Sequence, residues 1–115
     1  MSILKEKSFD FALRIIKLAK YLQNSHKEYI LSKQIMRSGT AIGALVREAQ
    51  YAQSKADFLH KLTIALKEAN ETEYWLLLLF ESNYIDKQMF DSISPDIKEL
   101  LKLLISSTKT IKEIN

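Results

Sequence analysis

The chain has 115 residues, enough for one domain with a single modest core, and residues 1–115 read as one unit. It has no Cys, which excludes disulfides and thiolate metal sites, and its two Gly and one Pro are too few turn formers for a sheet-rich fold. The formal charge is +3, but residues 1–53 hold nine Lys/Arg against four Asp/Glu while residues 54–115 hold eight against ten, so the basic excess lies in the first half and favours an anionic partner there.

The first helix is expected from about Ser8 to Asn24. Phe11, Ile15, Leu18 and Leu22 recur at three- and four-residue steps and stack on one face, with Phe9, Ala12, Ile16 and Ala19 in a second apolar row beside it. The opening Met1-Ser2-Ile3-Leu4-Lys5-Glu6-Lys7 is interrupted by charge too early for a secretory signal, so a cytoplasmic location is expected. Ser25 to Tyr29 reads as a connection.

Ser32 reads as the N-cap of a second helix running to about Ala52, with Leu31 and Met36 placed as a hydrophobic staple. At 100° per residue, Lys33, Arg37, Thr40, Ala44, Arg47 and Tyr51 share one stripe, and Leu31, Ile35, Ser38, Ile42, Leu45 and Ala49 share the opposite one. No acid occurs between Tyr29 and Arg47. Cations one turn apart with small residues between them suit close approach to phosphates, although such a stripe also serves as an ordinary solvated face. Between the two stripes runs a row of Met36, Gly39, Gly43, Val46 and Gln50. Its small-xxx-small pair permits close helix approach, either to the first helix or to a neighbouring subunit.

Ser54-Lys55-Ala56-Asp57 has capping-box spacing and opens a third helix to about Ser82, the longest expected element. Phe58, Leu62, Ala65, Ala69, Thr72, Leu76 and Leu79 give its core stripe, and Lys67 and Glu71 are placed to pair across one turn. Its apolar run from Trp75 to Phe80 is far shorter than the roughly 20 residues of a membrane span. After Asn83 to Asp86 a short turn over Lys87 to Ser92 is expected. Ser94-Pro95 then reads as N-cap and first position of a fourth helix to about Glu113, a continuous helix kinked at Pro95 being the alternative. Ile97, Leu100, Leu101, Leu104, Thr108 and Ile111 form its stripe. Four amphipathic helices with short connections predict an all-α, antiparallel up-down four-helix bundle.

Catalytic patterns are absent from the sequence. Asp57-Phe58-Leu59-His60 is half of the carboxylate-x-x-His arrangement of di-iron bundles, but the only other histidine, His26, follows Gln23 at that spacing. No cofactor, metal or catalytic residue is therefore assigned.

The stretch Leu31-Ser32-Lys33-Gln34-Ile35-Met36-Arg37-Ser38-Gly39-Thr40-Ala41-Ile42-Gly43-Ala44, continued by Arg47-Glu48-Ala49-Gln50, resembles the signature segment of four-helix bundle proteins encoded in 23S rRNA intervening sequences. Ser54 to Phe58, Ala65 to Trp75 and Lys7 to Ala12 match further segments, so the resemblance spans nearly the whole chain. Ala41 and Leu45 stand where the family often has Ser and Asn, which makes this helix more apolar. The resemblance implies a homopentamer around a central channel. It also implies kinship with basic accessory proteins of diversity-generating retroelements, which bind nucleic acid and a reverse transcriptase. Five copies of a +3 chain carry +15. The resulting expectation is a non-enzymatic pentameric scaffold binding nucleic acid, RNA before DNA, through Lys33, Arg37 and Arg47 with Lys17, Lys20 and Lys27 as helpers. Met36, Gly39, Gly43, Val46 and Trp75 are the expected subunit contacts. The alternative is a protein-interaction module that touches no nucleic acid.

Overall fold

Buried positions repeat at alternating steps of three and four along the first and third helices. On the first helix this stripe is Leu4, Ser8, Phe11, Ile15, Leu18 and Leu22, with buried Ala19 beside it; on the third it is Leu62, Ala65, Ala69, Thr72, Leu76 and Leu79. Such spacing keeps one stripe facing inward over many turns and favours helices aligned within about 20° of one another. The computed structural model describes residues 2–114. Its elements are α1 (Ser2–His26), α2 (Leu31–Gln50), α3 (Lys55–Glu81) and α4 (Lys87–Ile114). They form an all-α four-helix bundle in which α2 lies between α1 and α3, and α4 closes the square against α3 and α1. At about 1.5 Å per residue the longest helix spans roughly 42 Å, in keeping with a long dimension of 47 Å.

Side-chain contacts give the helix directions. Ser38 meets Thr72 and Glu48 meets Lys61, so α3 numbers fall as α2 numbers rise. Lys7 reaches Glu99 while Arg14 reaches Ser92 and Asp96, the same opposed order for α1 and α4.

α1 starts at Ser2 rather than near Ser8, because Leu4 extends the buried stripe by another turn. Ser8 is buried, and its hydroxyl bonds the Lys5 carbonyl at 3.1 Å. Half of the capping box at α3 forms as the spacing predicts: the Asp57 N–H donates to Ser54 Oγ at 3.0 Å, whereas Asp57 Oδ2 accepts from the Gln53 N–H at 3.2 Å, one residue before the cap. Past α3, Asn83 takes a left-handed φ of 67°, and the Tyr84 N–H returns to the Leu79 carbonyl, a Schellman-type end.

α4 corrects the expected break at Ser94-Pro95. It is one helix of 28 residues, longer than α3, with Asp86 accepting from the Met89 N–H as its cap and Pro95 inside. Ser94 is buried and is no cap. The cause is packing before the proline. Phe90 stacks on Phe80 at 4.5 Å and Ile93 is buried, so this turn is held in register with Ile97. Pro95 faces solvent and leaves the Asp91 carbonyl without a helical donor. Pro95→Ala restores that donor, and thermal unfolding should show a gain of about 1–2 kcal/mol.

Candidate nucleic-acid interface

The α1–α2 turn is built around one carboxylate. Between Asp10 and Glu48 the sequence holds a single acid, Glu28. It is buried, and its oxygens accept from the backbone N–H groups of Ile30, Leu31 and Ser32 at 3.2, 2.9 and 2.7 Å. Those are the orphan donors of the α2 N-terminus, where a negative group is stabilised. Glu28 therefore does the work expected of Ser32. Ser32 lies inside the helix, fully buried, donating its hydroxyl to the Glu28 carbonyl at 2.8 Å. With α2 beginning at Leu31 and ending at Gln50, the Leu31–Met36 staple register does not apply.

Glu28 is thereby engaged with the backbone and pairs with none of the lysines around the turn. Lys20 lies on the last turns of α1, Lys27 follows its end, and Lys33 lies on the first turn of α2. All three are exposed and take part in none of the ion pairs among the described residues. At 1.5 Å per residue each lies within roughly 10 Å of the turn along its helix axis. Lys27 holds a left-handed φ of 52°, which fixes the chain reversal.

The remaining predicted cations are placed differently. Arg37 is on the exposed stripe, but its guanidinium bridges to α3, bonding both Glu68 oxygens at 3.2 Å and also Glu71. Glu71 in turn accepts from the Trp75 indole N–H at 3.1 Å. Arg37 is thus a cross-helix tie, and Glu71 is engaged there rather than with Lys67. Arg47 is exposed and unpaired among the described residues, but the shallow groove it borders with Lys5 and Phe9 also carries Glu6 and Asp10. Lys17 lies on the α4 side of α1, beside a groove of about 530 Å³ floored by Leu18, Ile85 and Ile93. Lys17 is therefore off the α2 face that carries Lys33 and Arg47.

The glycine row closes inside the chain. A Cβ on Gly39 would stand 2.8 Å from Ile15 Cγ1, and one on Gly43 would stand 3.3 Å from the Ser8 carbonyl oxygen. The two glycines let α1 and α2 approach each other. Gly39 and Val46 are buried within the bundle and leave no surface for a second subunit. Met36, Gly43 and Trp75 keep partial exposure. Among the exposed large apolar groups are Phe9 and Leu13 on α1, Tyr74 and Leu77 on α3 and Ile105 on α4. Sequence reasoning missed these, since single exposed apolar residues look like core positions until the helix phase is known.

His60 is exposed, and the described residues contain no group of three His, Asp or Glu placed to hold a metal. None of the described helices is long and apolar enough to cross a membrane.

Comparison with known proteins adds the family. The sequence pattern of the 23S rRNA-intervening sequence proteins matches residues 2–106. The chain belongs to the 23S rRNA-intervening sequence protein family. Its structure is similar to the crystal structure of a protein of unknown function from the S23 ribosomal protein family of Bacteroides thetaiotaomicron. That similarity has 57% identity and a TM-score of 0.92, covering 94% of this chain and 96% of the other. Nothing among curated proteins matches. For this intervening-sequence family member the bundle is therefore a family architecture, and the charge at the α1–α2 turn is the feature on which a functional reading can be built.

Proposed function

We propose that this intervening-sequence family protein is a non-enzymatic homopentameric scaffold that holds nucleic acid, RNA before DNA, at the α1–α2 end of each subunit. One observation carries the reading: Lys20, Lys27 and Lys33 are exposed and form no ion pair among the described residues, and the one acid within their stretch of sequence is buried on backbone N–H groups. Phosphates are attracted to such a cluster without sequence preference. Arg37 is removed from the contact set by Glu68 and Glu71, and Arg47 is secondary. Exposed Phe9 and Leu13 on one side of the bundle and Tyr74 and Leu77 on another support assembly, since a head-to-tail contact closing into a ring needs two different faces.

The test is the variant Lys20→Glu, Lys27→Glu, Lys33→Glu beside Arg37→Ala. The triple variant should keep its helical circular dichroism and lose at least ~100-fold in RNA affinity at low salt. Arg37→Ala should stay within about twofold in affinity and lose under ~1 kcal/mol of stability, because the pair is half exposed. Full binding by the triple variant removes the assigned surface. Light scattering should give about five times the 13.3 kDa chain mass, and a monomer would remove the ring.

The same exposed apolar faces favour one other reading, a module that docks a partner protein and touches no nucleic acid; the polymerase-like partner implied by the resemblance belongs to this class. Co-purification that survives nuclease treatment would support that reading.

A further inference from the structure

The loop between α1 and α2 holds out two apolar side chains where burial would be expected. Tyr29 is 50% exposed and Ile30 is 76% exposed. They do not sit on a slack segment. The Glu28 N–H donates to the Leu22 carbonyl at 3.0 Å, the Glu28 carboxylate accepts from the backbone N–H groups of Ile30, Leu31 and Ser32, and the Ser32 hydroxyl closes back onto the Glu28 carbonyl. The loop backbone is fixed by its own hydrogen bonds, and the Tyr29 side chain is not part of that framework. Lys27 and Lys33 flank the pair in sequence, with Lys20 on the neighbouring helix.

An exposed aromatic ring on a fixed backbone, flanked by cations that form no ion pair among the described residues, is complementary to one kind of polyanion. In duplex RNA the bases are stacked on each other and closed to a side chain, so Tyr29 would have nothing to cover it. In a single strand the bases are splayed, and a base can lie on an aromatic face while its phosphates meet lysines. We propose that the ligand of the α1–α2 end is single-stranded RNA, with an unpaired base stacked on Tyr29, Ile30 packing at its edge, and Lys20, Lys27 and Lys33 on the adjoining phosphates. The proposal rests on the nucleic-acid reading above and adds the strandedness of the ligand. Sequence preference stays low, because every base presents a π face.

The experiment uses the full chain with a fluorescein-labelled 12-nucleotide oligouridylate and a labelled 12-base-pair RNA duplex, read by anisotropy at low salt. The single strand should bind about tenfold or more tightly than the duplex. Tyr29→Ala should lose that advantage, about five- to a hundredfold on the single strand, while duplex binding stays unchanged. Tyr29→Phe should retain it, because the ring and not the hydroxyl is the platform. Tyr51→Ala, at the other end of α2, should behave as the unsubstituted protein. Equal binding of both RNAs together with a silent Tyr29→Ala would overturn the stacking proposal and leave the phosphate-binding reading standing. Failure of both RNAs to bind would overturn both. A Tyr29→Ala protein whose mass by light scattering falls to that of the single chain would assign the ring to a contact between copies and overturn the proposal.

Discussion

Gly39→Val should destabilise the bundle by about 3 kcal/mol, read as a fall of roughly 10 °C in thermal midpoint. The first added atom already conflicts with the core: a Cβ at position 39 would lie 2.8 and 2.9 Å from two carbons of Ile15. Ile15 is fully buried and cannot swing into solvent. Either its rotamer is forced or α1 and α2 separate, and both lose packing along a seam that runs from Ser8 to Gln23. Helix propensity opposes this effect by only a few tenths of a kcal/mol, since valine is a modest helix former. Gly39→Ala is the informative partner. Its propensity gain of about 1 kcal/mol partly offsets the clash, so Gly39→Ala should lose only about 1–2 kcal/mol. Adding Ile15→Ala, which removes both γ carbons, should then cost less than the two single losses combined, because the second change clears the space that the first one needs. Additive losses would show that the close approach at Gly39 does not hold the two helices together.

Glu28→Ala should cost about 2–3 kcal/mol, more than the loss of an ordinary N-cap. Three backbone donors lose their acceptor at once, and the bond from the Ser32 N–H is buried. The negative charge at the start of α2 is lost as well. Glu28→Gln retains one acceptor oxygen and should lose about half as much. Chemical denaturation of the two variants gives the comparison. A Glu28→Ala protein within ~0.5 kcal/mol of the original would mean that the loop is held by something other than this carboxylate.

Much of the bundle is legible in the sequence because burial follows periodicity. Most of the stripes of α3 and α4 and of the inner face of α2 are buried where three- and four-residue spacing puts them, with Leu31, Leu45, Phe58, Leu101 and Ile111 half-buried at their edges, and the Ser54 cap marks the start of α3 to the residue. Local signals misled in two places where a tertiary contact decides. Ser94-Pro95 has the form of a helix start, but Phe90 and Ile93 pack on the core and carry the helix through. Ser32 has the form of a cap, but Glu28, four residues earlier, reaches the same donors with a longer side chain. A lone acid just ahead of a helix in a basic stretch was the available clue. The candidate site was half legible for the same reason. The outward phase of Lys33, Arg37 and Arg47 follows from the α2 wheel, but which of them stays free depends on α3. The engagement of Arg37 by Glu68 and Glu71 needs the α2–α3 register, which no single helix contains. Lys17 moved to the α4 side because α1 has two neighbours and the wheel alone does not say which neighbour lies where.

The central proposition is electrostatic: the α1–α2 end presents lysines that form no ion pair among the described residues. The direct measurement is the affinity of the oligouridylate as salt is raised from about 50 to 300 mM, for the original chain and for the Lys20, Lys27, Lys33 charge reversal. Three phosphate contacts per subunit predict a log–log slope of about −2 or steeper for the original chain, and a slope near zero for the variant. A flat salt response in the original chain, or the same slope in both proteins, would contradict it.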